Sequence, residues 1–129
     1  MQIRPRSNNK NGFTMIELLV VTTIIIVIST IGLISFRQTG QNARNGKRRA
    51  DLENLRSALV LYRSDNGSYP ATSDFGTMVT TISDYTSSVS VTDPTNDATY
   101  FYEYTSAGPT FTLTAYLEPD AESYTLTNP

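Results

Sequence analysis

Between Gly12 and Phe36 the chain carries a single charge, Glu17, near the start of an almost uninterrupted apolar run. A carboxylate in a membrane-length segment costs about 2.5–3.5 kcal/mol at the centre of a bilayer and less towards an end, so it calls for a cationic partner or a function. The alternative is an interfacial acid at a helix start, where negative charge suits the helix dipole. Gly12 lies before the apolar run rather than after it, the reverse of an ordinary export signal. A cut between Gly12 and Phe13 would therefore leave the apolar helix on the product. Composition removes much other chemistry. The 129 residues include no cysteine and no histidine, which excludes thiolate catalysis, a disulfide framework and the usual general base near neutral pH. The sequence also offers no phosphate-cradling loop and no nucleophile beside a base.

Hydropathy and charge dictate the scaffold. Leu18 to Phe36, nineteen residues at about 1.5 Å rise each, make a helix of roughly 28 Å, close to the ~30 Å hydrocarbon core of a bilayer. Residues 1–12 hold Arg4, Arg6 and Lys10 with no acid, as does a flank retained in the cytoplasm. Beyond the apolar helix there is room for one small domain at most. With no disulfide to close it, something else must pin its carboxy-terminal end. Charge is divided: seven basic residues face only Asp51 and Glu53 between Arg37 and Arg63, while nine acids and no Lys or Arg occupy the chain from Ser64 onward, within a net charge of −2. This reads either as a solvated helix face beside an acidic surface or as complementarity between copies of the chain.

Gly40 and Gly46, among turn-favouring residues from Gln38 to Gly46, predict a soft hinge, each glycine costing about 0.8–1 kcal/mol in a helix interior; the alternative is a continuous helix that tolerates both. From Lys47 the helical pattern returns, with Leu52, Leu55, Leu59 and Tyr62 forming a stripe beside Ala58. Asp65-Asn66-Gly67 ends it with a glycine suited to the left-handed position. Asn66-Gly67-Ser68 also matches a glycosylation sequon, with capping the preferred role. Ser73-Asp74 caps a short helix carrying Phe75, Met78, Val79 and Ile82. Val89 and Val91 suggest a short strand; Tyr100, Tyr102 and Tyr104, then Phe111, Leu113, Ala115 and Leu117, alternate as strands around a turn at Ser106–Pro109; Tyr124 and Leu126 add an edge strand. The eight tyrosines read as strand packing rather than as an electron path or a stacking platform for nucleic acid.

The run Gly12-Phe13-Thr14-Met15-Ile16-Glu17-Leu18-Leu19-Val20-Val21 resembles the leader junction of type IV pilins and pseudopilins. The resemblance covers about residues 1–36. It implies a prepilin peptidase that cleaves after Gly12, N-methylation of Phe13, and an assembly role for Glu17, whose carboxylate would neutralise the amino terminus of a neighbouring subunit. It departs from many relatives in lacking a helix-bending proline, the chain reading Gly32-Leu33-Ile34-Ser35 instead. Residues Ala50 to Tyr62 with Asp65-Asn66-Gly67-Ser68-Tyr69-Pro70 are similar to the helix exit of the major pseudopilin of type II secretion, where proline holds the preceding tyrosine extended. Calcium-binding members of that group have an acidic loop where this chain has Asp93-Pro94-Thr95-Asn96-Asp97 and Glu118-Pro119-Asp120-Ala121-Glu122. The resemblance thus makes Asp93, Asp97, Glu118 and Asp120 candidate calcium ligands, oxygen donors of the hard type calcium takes. Their spacing fits no EF-hand, and solvated loop acids are the preferred reading.

The implied fold is α+β and pilin-like: a long amino-terminal helix, transmembrane in its first half, with its second half on a small antiparallel sheet. The implied domains are a leader at 1–12, a transmembrane and filament-core helix at 13–36, its amphipathic continuation at 37–64 and a β domain at 65–129. Two functional classes emerge. One is a structural subunit without chemistry of its own, inserted in the inner membrane and drawn into a helical homo-oligomer by an assembly platform with minor pilins, ending in an extracellular pilus or a periplasmic pseudopilus. The other, disfavoured by the absent catalytic residues, is a membrane-anchored enzyme or binding module. The residues leave open whether the filament meets nucleic acid, and adhesion, motility, DNA uptake and export all use this architecture.

Overall fold

The computed structural model describes residues 12–86 and 91–128. The basic leader up to residue 11, and Val89 of the expected short strand, lie outside the described residues. Helix α1 (Met15–Asn66) contributes to two compact units, which divide between Arg37 and Gln38.

In the first unit α1 is apolar on every side. Ile16, Leu18, Ile24, Ile28, Ile31, Ile34 and Phe36 are all more than half exposed, whereas a helix on a soluble core would bury one stripe. By length and composition this helix can cross a membrane. Its polar side chains satisfy themselves locally. Thr22 and Thr23 donate to the Leu19 carbonyl at 2.9 and 2.8 Å, and Thr30 to the Ile26 carbonyl at 2.9 Å, which lowers the cost of placing hydroxyls in hydrocarbon.

In the second unit α1 buries the expected stripe. Leu52, Leu55, Ala58 and Leu59 are buried in one core with Met78, Val79 and Ile82 of helix α2 (Phe75–Thr81) and its C-terminal boundary. The sheet has the order β1-β2-β3, antiparallel, formed by β1 (Tyr102–Ser106), β2 (Phe111–Leu117) and β3 (Glu122–Thr127). Pairing sets Tyr102, Ala115 and Tyr124 in one row and Tyr104, Leu113 and Leu126 in the next, so one face carries the core and the other the threonines. The exit from α1 matches the sequence expectation. Gly67 has φ +81° and donates its N–H to the Arg63 carbonyl at 2.8 Å; Tyr69 then turns inward against Phe111, with ring centroids 4.7 Å apart, while Arg63 lies over its ring. Tyr104 donates its hydroxyl to the Pro70 carbonyl at 2.9 Å, tying the sheet to that exit.

Two expectations differ. α1 runs through Gly40 and Gly46 without a break, the continuous alternative to a hinge. Val91 is not in a strand, because the residues beyond it use their backbone donors locally: Asp93 accepts from the N–H groups of Thr95 and Asn96, and Asp97 from those of Thr99 and Tyr100. Acidic residues that capture nearby N–H groups favour turns over strand ladders.

Candidate functional site

At the start of α1, Gly12, Phe13 and Thr14 precede the first helical turn and all are exposed. Thr14 and Glu17 form a reciprocal cap. The Thr14 N–H donates to Glu17 Oε2 at 2.8 Å, the Thr14 hydroxyl donates to the same oxygen at 2.7 Å, and the Glu17 N–H donates to Thr14 Oγ1 at 3.3 Å. Thr-x-x-Glu at this offset is a capping box, which satisfies backbone donors that a helix start leaves orphaned. The pattern is present in the sequence as Thr14-Met15-Ile16-Glu17, and it gives Glu17 a local role beside the pairing role the resemblance implies. Phe13, Ile16, Glu17, Val20 and Val21 line an open apolar hollow. Gly12, Phe13 and Glu17, the three residues singled out in the sequence, thus stand together at an exposed helix end.

The four proposed calcium ligands do not come together. Asp93 and Glu118 meet, but on arginines. Arg48 is fully buried and donates from Nε to Asp93 Oδ2 at 2.6 Å and from Nη2 to Asp93 Oδ1 at 2.8 Å; its Nη1 donates to Glu118 Oε1 at 2.8 Å. Arg44 makes a two-pronged pair with the same glutamate, from Nε to Oε1 at 2.7 Å and from Nη2 to Oε2. Asn45 holds the backbone of Glu118 from both sides, its amide donating to the carbonyl at 2.8 Å and its oxygen accepting from the N–H at 3.0 Å. Asp97 is occupied by its own turn, and Asp120 lies exposed in the β2–β3 turn. Among the described residues no group of three or more acids is placed to hold a metal ion. Guanidinium groups already neutralise the two carboxylates that are brought together.

The Arg44 and Arg48 bonds hold the Glu118 carboxylate down at about 2 despite its burial. Burial pushes the Asp93 carboxyl up, but the Arg48 bond and the Thr95 and Asn96 N–H groups outweigh it, so the net direction is down. Hydrogen bonds from Arg48 to Asp93 push the guanidinium up, keeping it charged against burial. Sequence reasoning missed this cluster, although a signal was present. Arg44 and Arg48 extend the Leu52, Leu55, Leu59 stripe towards the amino end at helical spacing, and a charge in line with a buried stripe needs a buried partner of opposite sign. The cluster also supplies the missing closure, since it fixes the β2–β3 turn to α1 without a disulfide.

Residues 7–33 match a family model described as the prokaryotic N-terminal methylation motif. Over 63 residues the chain is 33% identical to the type II secretion system core protein G of Pectobacterium carotovorum subsp. carotovorum, covering 49% of this chain and 40% of that protein. To the core protein G of Escherichia coli (strain K12) it is 32% identical over 66 residues, 51% of this chain and 46% of that protein. The chain therefore spans less than half the length of these curated relatives. No solved structure is a significant match. The motif and these relatives support kinship with type IV pilins and pseudopilins.

Proposed function

We propose that this chain is the precursor of a pilin-like structural subunit, cut after Gly12, methylated at Phe13, and assembled into a filament through its amino-terminal helix. The observation that carries this reading is the stretch of α1 up to Phe36, apolar and exposed on all sides, whose single charge, Glu17, lies at its amino end. Such a surface needs lipid first and other helices afterwards. In the precursor the helix is anchored in the inner membrane with the domain beyond Arg37 outside the cytoplasm; after the cut, Glu17 meets the new ammonium group of a neighbouring subunit. An unpaired charge in that apolar core would cost several kcal/mol, so pairing selects the register. The subunit works by assembly and carries out no reaction. Its partners are other copies of itself, minor pilins, the prepilin peptidase and the membrane assembly platform.

A more specific reading makes the filament a secretion pseudopilus. The similarity to core protein G and the Asp65-Asn66-Gly67 exit through Tyr69-Pro70 support it over a surface pilus. Mass spectrometry of the native product, with Glu17→Val compared beside wild type, tests the proposal. A methylated chain beginning at Phe13 is expected for both, with filaments made efficiently only by wild type. Full-length chains in filaments, or abundant filaments of Glu17→Val alone, would refute it.

A further inference from the structure

We infer that the Arg48 guanidinium is the permanent cation of an oxygen cage, so that the carboxy-terminal domain closes on a tethered organic cation where a metal ion would otherwise be sought. Asp93, Asn45, Thr95 and Glu118 build the cage, and its shape fits a fork. Arg48 Nε donates to Asp93 Oδ2 at 2.6 Å; Nη1 donates to Asn45 Oδ1 at 2.9 Å and Glu118 Oε1 at 2.8 Å; Nη2 donates to Asp93 Oδ1 at 2.8 Å and Thr95 Oγ1 at 3.0 Å. These five bonds equal the full donor capacity of a guanidinium. The Tyr100 ring lies against the group, 5.0 Å from centroid to Cζ, and Tyr100 is itself fixed by donating to the Pro119 carbonyl at 2.7 Å.

The arrangement discriminates between cations by geometry. A spherical ion wants its oxygens around one point at about 2.3–2.6 Å, whereas here the two oxygens of Asp93 address two different nitrogens in the parallel manner of a bidentate pair. An ammonium has three donors and no plane, so it would leave acceptors unfilled and lose the ring contact. No buried side-chain polar atom among the described residues lacks a partner. The cage ties three separate stretches together: the helix at 45–48, the loop at 93–95 and the turn at Glu118. This inference stands whether or not the chain forms filaments.

The test uses the full chain in detergent micelles, with domain melting followed by the near-ultraviolet signal of its tyrosines. Wild type is expected to melt at the same temperature with calcium or with a chelator; a midpoint raised by calcium and lowered by chelation would overturn the inference. Arg48→Ala should melt lower by on the order of 10 °C, and millimolar ethylguanidinium should recover part of that loss, while ethylammonium and calcium should not. Equal recovery by ethylammonium or calcium, or none by ethylguanidinium, would count against a fork-shaped cage. Arg48→Lys keeps the charge and guards against an Ala variant that fails to fold. It should melt clearly below wild type, and a wild-type midpoint for Arg48→Lys would refute the role of the guanidinium.

Discussion

Gly67 has φ +81° and no atom near enough to crowd an added Cβ, so backbone strain alone decides what a side chain does there. Gly67→Ala should destabilise the domain by about 1–2 kcal/mol, read as a lowered urea midpoint of the tyrosine signal; an unchanged midpoint would show that the helix can end without the left-handed residue. Gly12 poses a different question, since its neighbourhood is open and a larger side chain there is no threat to the fold. Gly12→Val should leave the structure intact and block the cut, so the chain keeps its full precursor mass; normal processing would refute the proposed peptidase site. The role of Gly67 was legible from its neighbours along the chain. The partners of Asp93 and Glu118 were not, because Arg48 lies 45 and 70 residues away from them and only the tertiary fold brings the three together. Acid-rich loops therefore read as hard-cation ligands, and nothing in their own neighbourhood points to the competing arginine on the helix stripe.

Elements were legible where a period was sustained. Alternation located all three strands, the 3-4-3 spacing located the buried stripe of α1, and Asp74 caps α2 by accepting from the Thr77 N–H at 2.6 Å, as Ser/Thr/Asp/Asn before an apolar run suggests. Val91 failed the same test, since one valine beside Asp93-Pro94 cannot compete with turns that claim the neighbouring N–H groups. The stretch around Gly40 and Gly46 was ambiguous because two glycines weaken a helix without forbidding it. An added Cβ meets nothing at Gly46 and only Arg44 Nη1, at an ordinary contact distance of 3.6 Å, at Gly40. Replacing both with alanine should therefore stiffen α1 by roughly 1.6–2 kcal/mol and raise the unfolding midpoint. If this stretch loosens when subunits assemble, the double variant should resist it; cryo-electron microscopy of wild-type filaments with a straight, continuous helix over residues 37–47 would refute that loosening.

At the scale of the whole chain, the division of charge has a purpose inside the subunit. Arg44 and Arg48 from the basic stretch are spent on Asp93 and Glu118 from the acidic one, and Lys47 on Asp51 of its own helix at 2.6 Å. Arg49 and Arg63 are in none of these pairs and lie instead over the rings of Tyr124 and Tyr69, 5.3 and 5.0 Å from Cζ to centroid; exposed charge of this kind is worth little singly and is screened by salt. The internal pairs set the response to acid. Glu118 titrates at about 2 in the folded chain against an ordinary value of 4.5, and Asp93 is also lowered from 3.8. Groups with depressed folded values stabilise the fold fully above their unfolded values and lose that contribution as pH falls through the folded ones. For Glu118 the window runs from about 4.5 down to about 2, and the amount at stake is on the order of 3 kcal/mol. The melting temperature of the domain should therefore hold from neutral pH to about 5 and then fall steeply. Glu118→Gln removes the titrating group while keeping its shape, so this variant should start lower at neutral pH and descend less steeply through the same window. Parallel melting curves for the two chains from pH 5 to pH 2 would show that the Arg44–Glu118–Arg48 cluster does not govern acid stability.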